Sequence, residues 1–199
     1  MVAASSSGPV EVTIVPRGSV RFPVAMLEPA DFHVEQLESW PRVPGRVEYV
    51  GGRLWFMPPC GDVQQRVAAD VAYELGAWQR SHGDFVVGGN EAGMLLDGEV
   101  RGADAAVWRG ARPAVSGFAR VAPILAVEIV GQDEDLNALV EKAEWHLSHG
   151  TSVVWIVDPT TRRVHVVTSS GRLEVADRIP ESALLPGLSP LVADFFRQL

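Results

Sequence analysis

Pro123-Ile124-Leu125-Ala126-Val127-Glu128-Ile129-Val130 is the stretch whose reading decides the fold. Apart from Glu128 it is an unbroken apolar run rich in β-branched residues, the pattern of a central strand buried on both faces. A helix follows over residues 135–149, with Leu136, Leu139, Val140, Ala143 and Leu147 on one face and Gly150 at its end. Asp133, Glu134 and Asp135 crowd the start of that helix, where its dipole favours negative charge. A second apolar strand, SVVWIV at 152–157, comes next and is closed by Asp158-Pro159. Strand, helix and strand in this order imply a βαβ crossover and a parallel strand pair.

Upstream, Asp62 reads as the N-cap of another long helix, and Gln65 completes a capping-box pattern. Val67, Val71, Leu75 and Trp78 form its apolar stripe, and Gly83 after His82 is its expected glycine stop. Residues 85–88, 91–96 and 100–108 read as strands joined by Gly-rich turns. Residues 46–57 (RVEYVGGRLWFM) read as a hairpin turning at Gly51-Gly52, and 29–37 as a short helix. Downstream, 163–168 and 172–176 make a hairpin around Ser170-Gly171, and the segment 184–196 packs back on the body. The expected architecture is one α/β domain over residues 26–199, a mixed sheet with a helix on each face. Residues 1–25 read as an extension, with a short strand over 10–15.

Bulk properties narrow the function. A chain of 199 residues that is 47% hydrophobic can build one sizeable core. No apolar run approaches the roughly 20 residues of a membrane-spanning helix, and the N-terminus lacks a secretory pattern. Cys60 is the single cysteine, so no internal disulfide framework and no cysteine-based zinc site is expected. Together these point to the cytoplasm. The net charge of −8 argues against a broad basic surface that grips nucleic acid. It leaves room for an active site that holds divalent cations, which is itself locally acidic.

Three residues are poorly explained by local structure. Glu128 places a carboxylate inside an apolar strand, which costs several kcal/mol (roughly) unless it is paired or metal-bound. Its bland alternatives are a structural salt bridge or a strand end that reaches solvent. Asp104 lies in a β-prone run where aspartate is disfavoured, the alternative being a turn after Gly102. Lys142 flanks the apolar stripe of the second long helix, where a lysine at the core edge can also simply snorkel. His146, one turn further along, shares that flank and has little else to recommend it. Two carboxylates from neighbouring strands can share Mg²⁺, which takes oxygen ligands and keeps several waters. A nearby lysine can orient the attacking water or balance phosphate charge, which is the chemistry of phosphodiester hydrolysis. Walker-A, GxGxxG and HExxH motifs are absent, the five histidines are scattered, and the six tryptophans fall mostly in core-like patterns.

Taken in order, Glu48-Tyr49-Val50-Gly51-Gly52-Arg53-Leu54 with Met57-Pro58-Pro59, Gln64-Gln65-Arg66-Val67 and Ala103-Asp104-Ala105-Ala106-Val107 resemble the Uma2 family, also called DUF820. So do Ala126-Val127-Glu128-Ile129-Val130, Glu141-Lys142, the run from Gly150 to Pro159, and Leu185-Pro186-Gly187-Leu188. The resemblance runs from Met26 to Phe196 and implies a restriction-endonuclease-like fold of the PD-(D/E)XK superfamily, with an added N-terminal hairpin region. It implies Asp104 as the motif aspartate, Glu128 as the second acid, and Lys142 as a lysine moved from the strand to the helix. Glu48, Gln64 and Glu141 are implied adjuncts. Ala103 stands for the family's proline, Gln64 for its histidine and Gly131 for its serine. The implied function is an Mg²⁺- or Mn²⁺-dependent endonuclease with DNA as substrate. The alternative is an inactive member that binds nucleic acid or protein, and the sequence leaves a homodimer open.

Overall fold

The computed structural model describes residues 22–110, 117–132 and 134–199. The strand expected over residues 10–15 and Asp133 lie outside the described residues. Among the described residues, nine strands form one mixed sheet. A short β1 (Val24–Met26) pairs with β3 (Arg53–Met57), which forms an antiparallel hairpin with β2 (Arg46–Val50). Gly51 and Gly52 turn this hairpin with φ of 60° and 70°, a left-handed pair that glycine adopts without steric cost. The long strands β4 (Phe85–Leu96) and β5 (Glu99–Arg109) pair along their whole length. β6 (Leu125–Ile129) is antiparallel to β5 and parallel to β7 (Val153–Asp158). β8 (Arg163–Thr168) and β9 (Gly171–Val175) complete the far edge.

The parallel β6–β7 pair is joined through α2 (Leu136–Ser148), as the two apolar runs and the intervening helical stripe require. α1 (Asp62–Gln79) covers the opposite face. β6 is buried at every position and alternates its side chains between two cores. Leu125, Val127 and Ile129 join Val67, Val71 and Leu75 of α1 and Phe195 of the C-terminal segment. Ala126 joins Leu139 and Ala143 of α2, with Ala106 and Ile156. Burying each large aliphatic side chain contributes about 1.5–3 kcal/mol. The small side chains of Ala106 and Ala126 leave room for the polar side chains that α2 directs at the sheet.

One topological feature positions everything that follows. β4 takes one edge of β5 throughout, but the other edge is shared. β2 meets it at Val100, through Tyr49, and β6 meets it at residues 105–107. Residues 101–104 lie in the fork between, where the edge passes from one neighbour to the next.

Several expected details differ. Residues 29–37 form successive turns and a 3-10 helix at Leu37–Ser39. There the Ser39 hydroxyl donates to the carbonyls of His33 and Gln36 and accepts from the His33 N–H, satisfying backbone groups that a helix would have used. Asp62 is the first residue of α1, and Gly61 is the cap, so no capping box forms. Asp62 instead pairs with Arg66 one turn on, at 2.8 Å. α1 ends before Gly83, because residues 80–82 close it with tighter turns. The strands expected at 85–88 and 91–96 are one strand, interrupted by a register shift between Gly89 and Ala92 where Glu91 adopts φ of 67°. α2, by contrast, is capped as its sequence suggests, the Asp135 carboxylate accepting from Ala138 N–H at 2.9 Å.

Candidate active site

In the fork of the sheet, β5 exposes backbone groups that no ladder partner takes. Side chains take them instead. Glu48 of β2 accepts from Gly102 N–H at 3.2 Å, and Lys142 of α2 donates to the Gly102 carbonyl at 2.7 Å. Asp104 accepts from Ile129 N–H at 2.7 Å. One step beyond the Ala105–Val127 pair, the register faces Asp104 with Glu128. Splaying β6 away at this step puts a carboxylate where a backbone carbonyl would otherwise sit.

Lys142 is the hub. Its Nζ lies 3.0 Å from Glu128 Oε2 and 3.1 Å from Glu48 Oε1, in addition to the Gly102 carbonyl. Three acceptors use all three ammonium protons. Burial alone would lower its pKa, but Glu128, Glu48 and Asp104 together raise it above the ordinary value, so it stays charged. Glu128 is almost completely buried, at 2% exposure. Burial would raise its pKa, yet Lys142 and His146 outweigh that and hold it low. Its second oxygen meets His146 Nε2 at 2.8 Å. Lys142 and His146 stand four residues apart on α2, so both point from one helical face at one carboxylate.

Asp104 behaves differently. Burial, followed by the nearby charge of Glu128, pushes its pKa up to about 7, although Lys142, Arg46 and the Ile129 N–H oppose the shift. Arg46 Nη1 approaches it at 3.7 Å. The same guanidinium also approaches Glu91 at 3.2 Å and Glu134 at 3.9 Å. Glu134 accepts from Gly131 N–H at 3.0 Å, and Gln64 donates to the Ile129 carbonyl at 3.2 Å, fixing the end of β6. Arg101 approaches Glu48 at 3.6 Å and lies over the Trp145 ring, 5.2 Å from its centre. Among the described residues, the five carboxyl groups (Glu48, Glu91, Asp104, Glu128 and Glu134) meet three strong bases, Arg46, Arg101 and Lys142. Burial first, and neighbouring negative charge second, raise the cost of ionising Asp104, and the Glu91 pKa is raised as well, by burial and by Glu48 and Glu128.

The structure thus brings Glu48, Asp104, Glu128 and Lys142 together, with Gln64 at the rim. Glu141 is exposed on α2, away from the cluster. Sequence reasoning missed Arg46, Glu91, Arg101 and Glu134 and undervalued His146. Two signals were available. Arg46 stands two residues before Glu48, hence on the same face of β2. Glu91 follows Gly88-Gly89, and glycines inside a strand mark a bulge that re-aims a side chain.

Among the described residues, no three His, Cys, Asp or Glu side chains are grouped to hold a metal ion. The donor chemistry nevertheless suits a hard divalent cation. Asp104 and Glu128 supply oxygen only, and they stand at facing positions of β5 and β6 one step beyond the last ladder pair. Mg²⁺ is commonly held by one or two carboxylates with water and substrate completing its shell.

The split sheet, its two covering helices and this acidic cluster with a buried lysine define a restriction-endonuclease-like α/β domain. The family model for Uma2, described as "Putative restriction endonuclease", matches residues 34–194, and the chain belongs to that family. The crystal structure of "a putative nuclease belonging to DUF820" from Anabaena variabilis superposes with a TM-score of 0.71. It is 16% identical and the match covers 83% of this chain and 97% of that one, which shows the shared fold. No curated protein matches the chain. No helix among the described residues is long and apolar enough to cross a membrane.

Proposed function

We propose that this chain is a divalent-metal-dependent endonuclease that hydrolyses phosphodiester bonds in DNA. The observation that carries the reading is the convergence of Asp104, Glu128 and Lys142 in the fork of the sheet, where Lys142 lies 3.0 Å from Glu128. Asp104 and Glu128 would hold the ion, Mg²⁺ or Mn²⁺, which polarises the phosphate and lowers the pKa of a bound water. Lys142 is held charged by Glu128 and Glu48, so its part is to orient water and balance phosphate charge; it is not a base. Glu48 also fixes the ammonium, at 3.1 Å. His146 fixes the remaining oxygen of Glu128. Gln64 holds the Ile129 carbonyl and cannot take up a proton near neutral pH as histidine can, so its role is positional.

One observation favours a second reading, an inactive member that binds nucleic acid or protein. Arg46 already supplies positive charge beside Asp104, at 3.7 Å. Isothermal titration of Mn²⁺ into wild type, Asp104→Asn and Glu128→Gln, each then incubated with plasmid DNA, separates the two. The nuclease reading expects saturable binding and nicking by wild type, both lost in the variants. Wild type that binds no ion and leaves DNA intact would favour the second reading.

A further inference from the structure

Lys142 and Arg46 neutralise the same acidic cluster in different ways. The ammonium of Lys142 makes three directed contacts between 2.7 and 3.1 Å. The Arg46 guanidinium lies among Glu91, Asp104 and Glu134 at 3.2, 3.7 and 3.9 Å, and two of these distances exceed a hydrogen bond. Among the described residues, its buried Nε has no aligned hydrogen-bond partner. Arg46 is therefore held by the field of three carboxylates and not by fixed bonds, and it can leave Asp104 without breaking one. It also has a place to go. A cavity of about 180 Å³ opens beside it, lined further by Gln64, Gly131, Gln132 and Glu134.

We propose that Arg46 is the site's internal counter-ion, neutralising Asp104 until a divalent ion binds and then turning into this cavity to contact a phosphate of the nucleic acid. The inference rests on the metal-nuclease reading and adds a positioning residue to it. Two cations that compete for one carboxylate weaken each other's binding, and removing one strengthens the other. A guanidinium set free beside the ion adds a fork that matches phosphate. The two halves give opposite signs for one substitution. Loss of Arg46 should tighten metal binding and weaken DNA binding. A purely structural arginine would weaken both.

The test is Mn²⁺ titration into wild type, Arg46→Gln and Arg101→Gln, each checked for folding by circular dichroism. Arg101 is the control, an arginine of the same cluster that meets Glu48 and Trp145. Arg46→Gln is expected to bind Mn²⁺ about tenfold or more tightly than wild type, and Arg101→Gln within about threefold of it. Binding of a short DNA duplex in Ca²⁺ should weaken in Arg46→Gln, with the salt slope reduced by about one. Unchanged or weaker Mn²⁺ binding overturns the proposal, as does unchanged DNA binding. Should Arg46→Gln not fold, Arg46→Lys keeps the competing charge but loses the fork, so Mn²⁺ affinity within about threefold of wild type and severalfold weaker DNA binding are expected; unchanged DNA binding overturns the proposal. Equal binding by wild type and Arg46→Gln, with wild-type cleavage intact, sinks this inference alone. Binding by Arg46→Gln but not wild type overturns the displacement of Arg46 by the ion and sinks the nuclease reading for the natural chain. Binding by neither sinks both.

Discussion

Replacing Lys142 by methionine tests whether the buried cluster is built around its ammonium. The side chain keeps much of its length but loses its charge and three donors. Glu128 Oε2 and Glu48 Oε1, now 3.0 and 3.1 Å from Nζ, lose their cation, and the Gly102 carbonyl loses its 2.7 Å donor. Removing one partner of a buried ion pair costs about 3–5 kcal/mol, because the remaining charge is stranded. With a urea m value of about 2 kcal/mol/M, the unfolding midpoint should fall by about 2 M. The loss should depend on pH. Without Lys142, only His146 is left to oppose burial, so the Glu128 pKa is expected to rise above its unfolded value near 4.5. The penalty is then fully present near neutral pH and fades as pH falls toward 4. Urea denaturation of both proteins at pH 4.5, 6 and 7.5 measures this. A loss below about 1 kcal/mol, or one independent of pH, would refute the reasoning. Adding Glu128→Gln should restore part of the loss, since it removes the stranded charge.

Further outcomes follow from the same geometry. Asp104 is raised from 3.8 to about 7 in the fold, so its ionisation opposes folding as pH rises through that window. Asp104→Asn should gain on wild type by up to about 4 kcal/mol between pH 4 and 7, and parallel pH–stability curves would contradict this. A Cβ at Gly131 would meet Glu134 Oε2 at 2.8 Å, the oxygen that caps Gly131 N–H. Gly131→Ala should push Glu134 aside and cost about 1 kcal/mol in thermal or urea unfolding, and no loss would mean that the cap is dispensable. Leu75 is fully buried between α1 and the sheet, so Leu75→Ala should cost about 2–5 kcal/mol, against less than about 0.5 kcal/mol for Tyr73→Phe on the exposed side of the helix.

The fold was largely legible because its signals are long and repetitive. The run at residues 123–130, the stripe of α2 and the SVVWIV strand admit one economical arrangement, and the structure has it. The shorter signals failed where a side chain outbid the backbone pattern, as Ser39 does over residues 29–37, and where the helix began one residue early, with Gly61 as the cap of α1. The acids of the candidate site stood out because each violates its surroundings. Glu128 interrupts an apolar strand and Asp104 sits in a strand interior. Arg46, Glu134 and Arg101 violate nothing locally. Their importance comes from the fork that separates β2 from β6, and such a long-range feature leaves no mark on residue spacing. His146 was visible as a neighbour of Lys142 on the helix, but the buried partner that gives it a role, Glu128 at 2.8 Å, lies on another element, β6.

The central claim is that Asp104 and Glu128 together hold a divalent ion. Soaking crystals of the wild-type protein in Mn²⁺ and recording anomalous differences tests it most directly. The account predicts one strong peak between the two carboxylates, with the Arg46 guanidinium displaced from its 3.7 Å approach to Asp104. An empty map there, with Arg46 still in place, would contradict it.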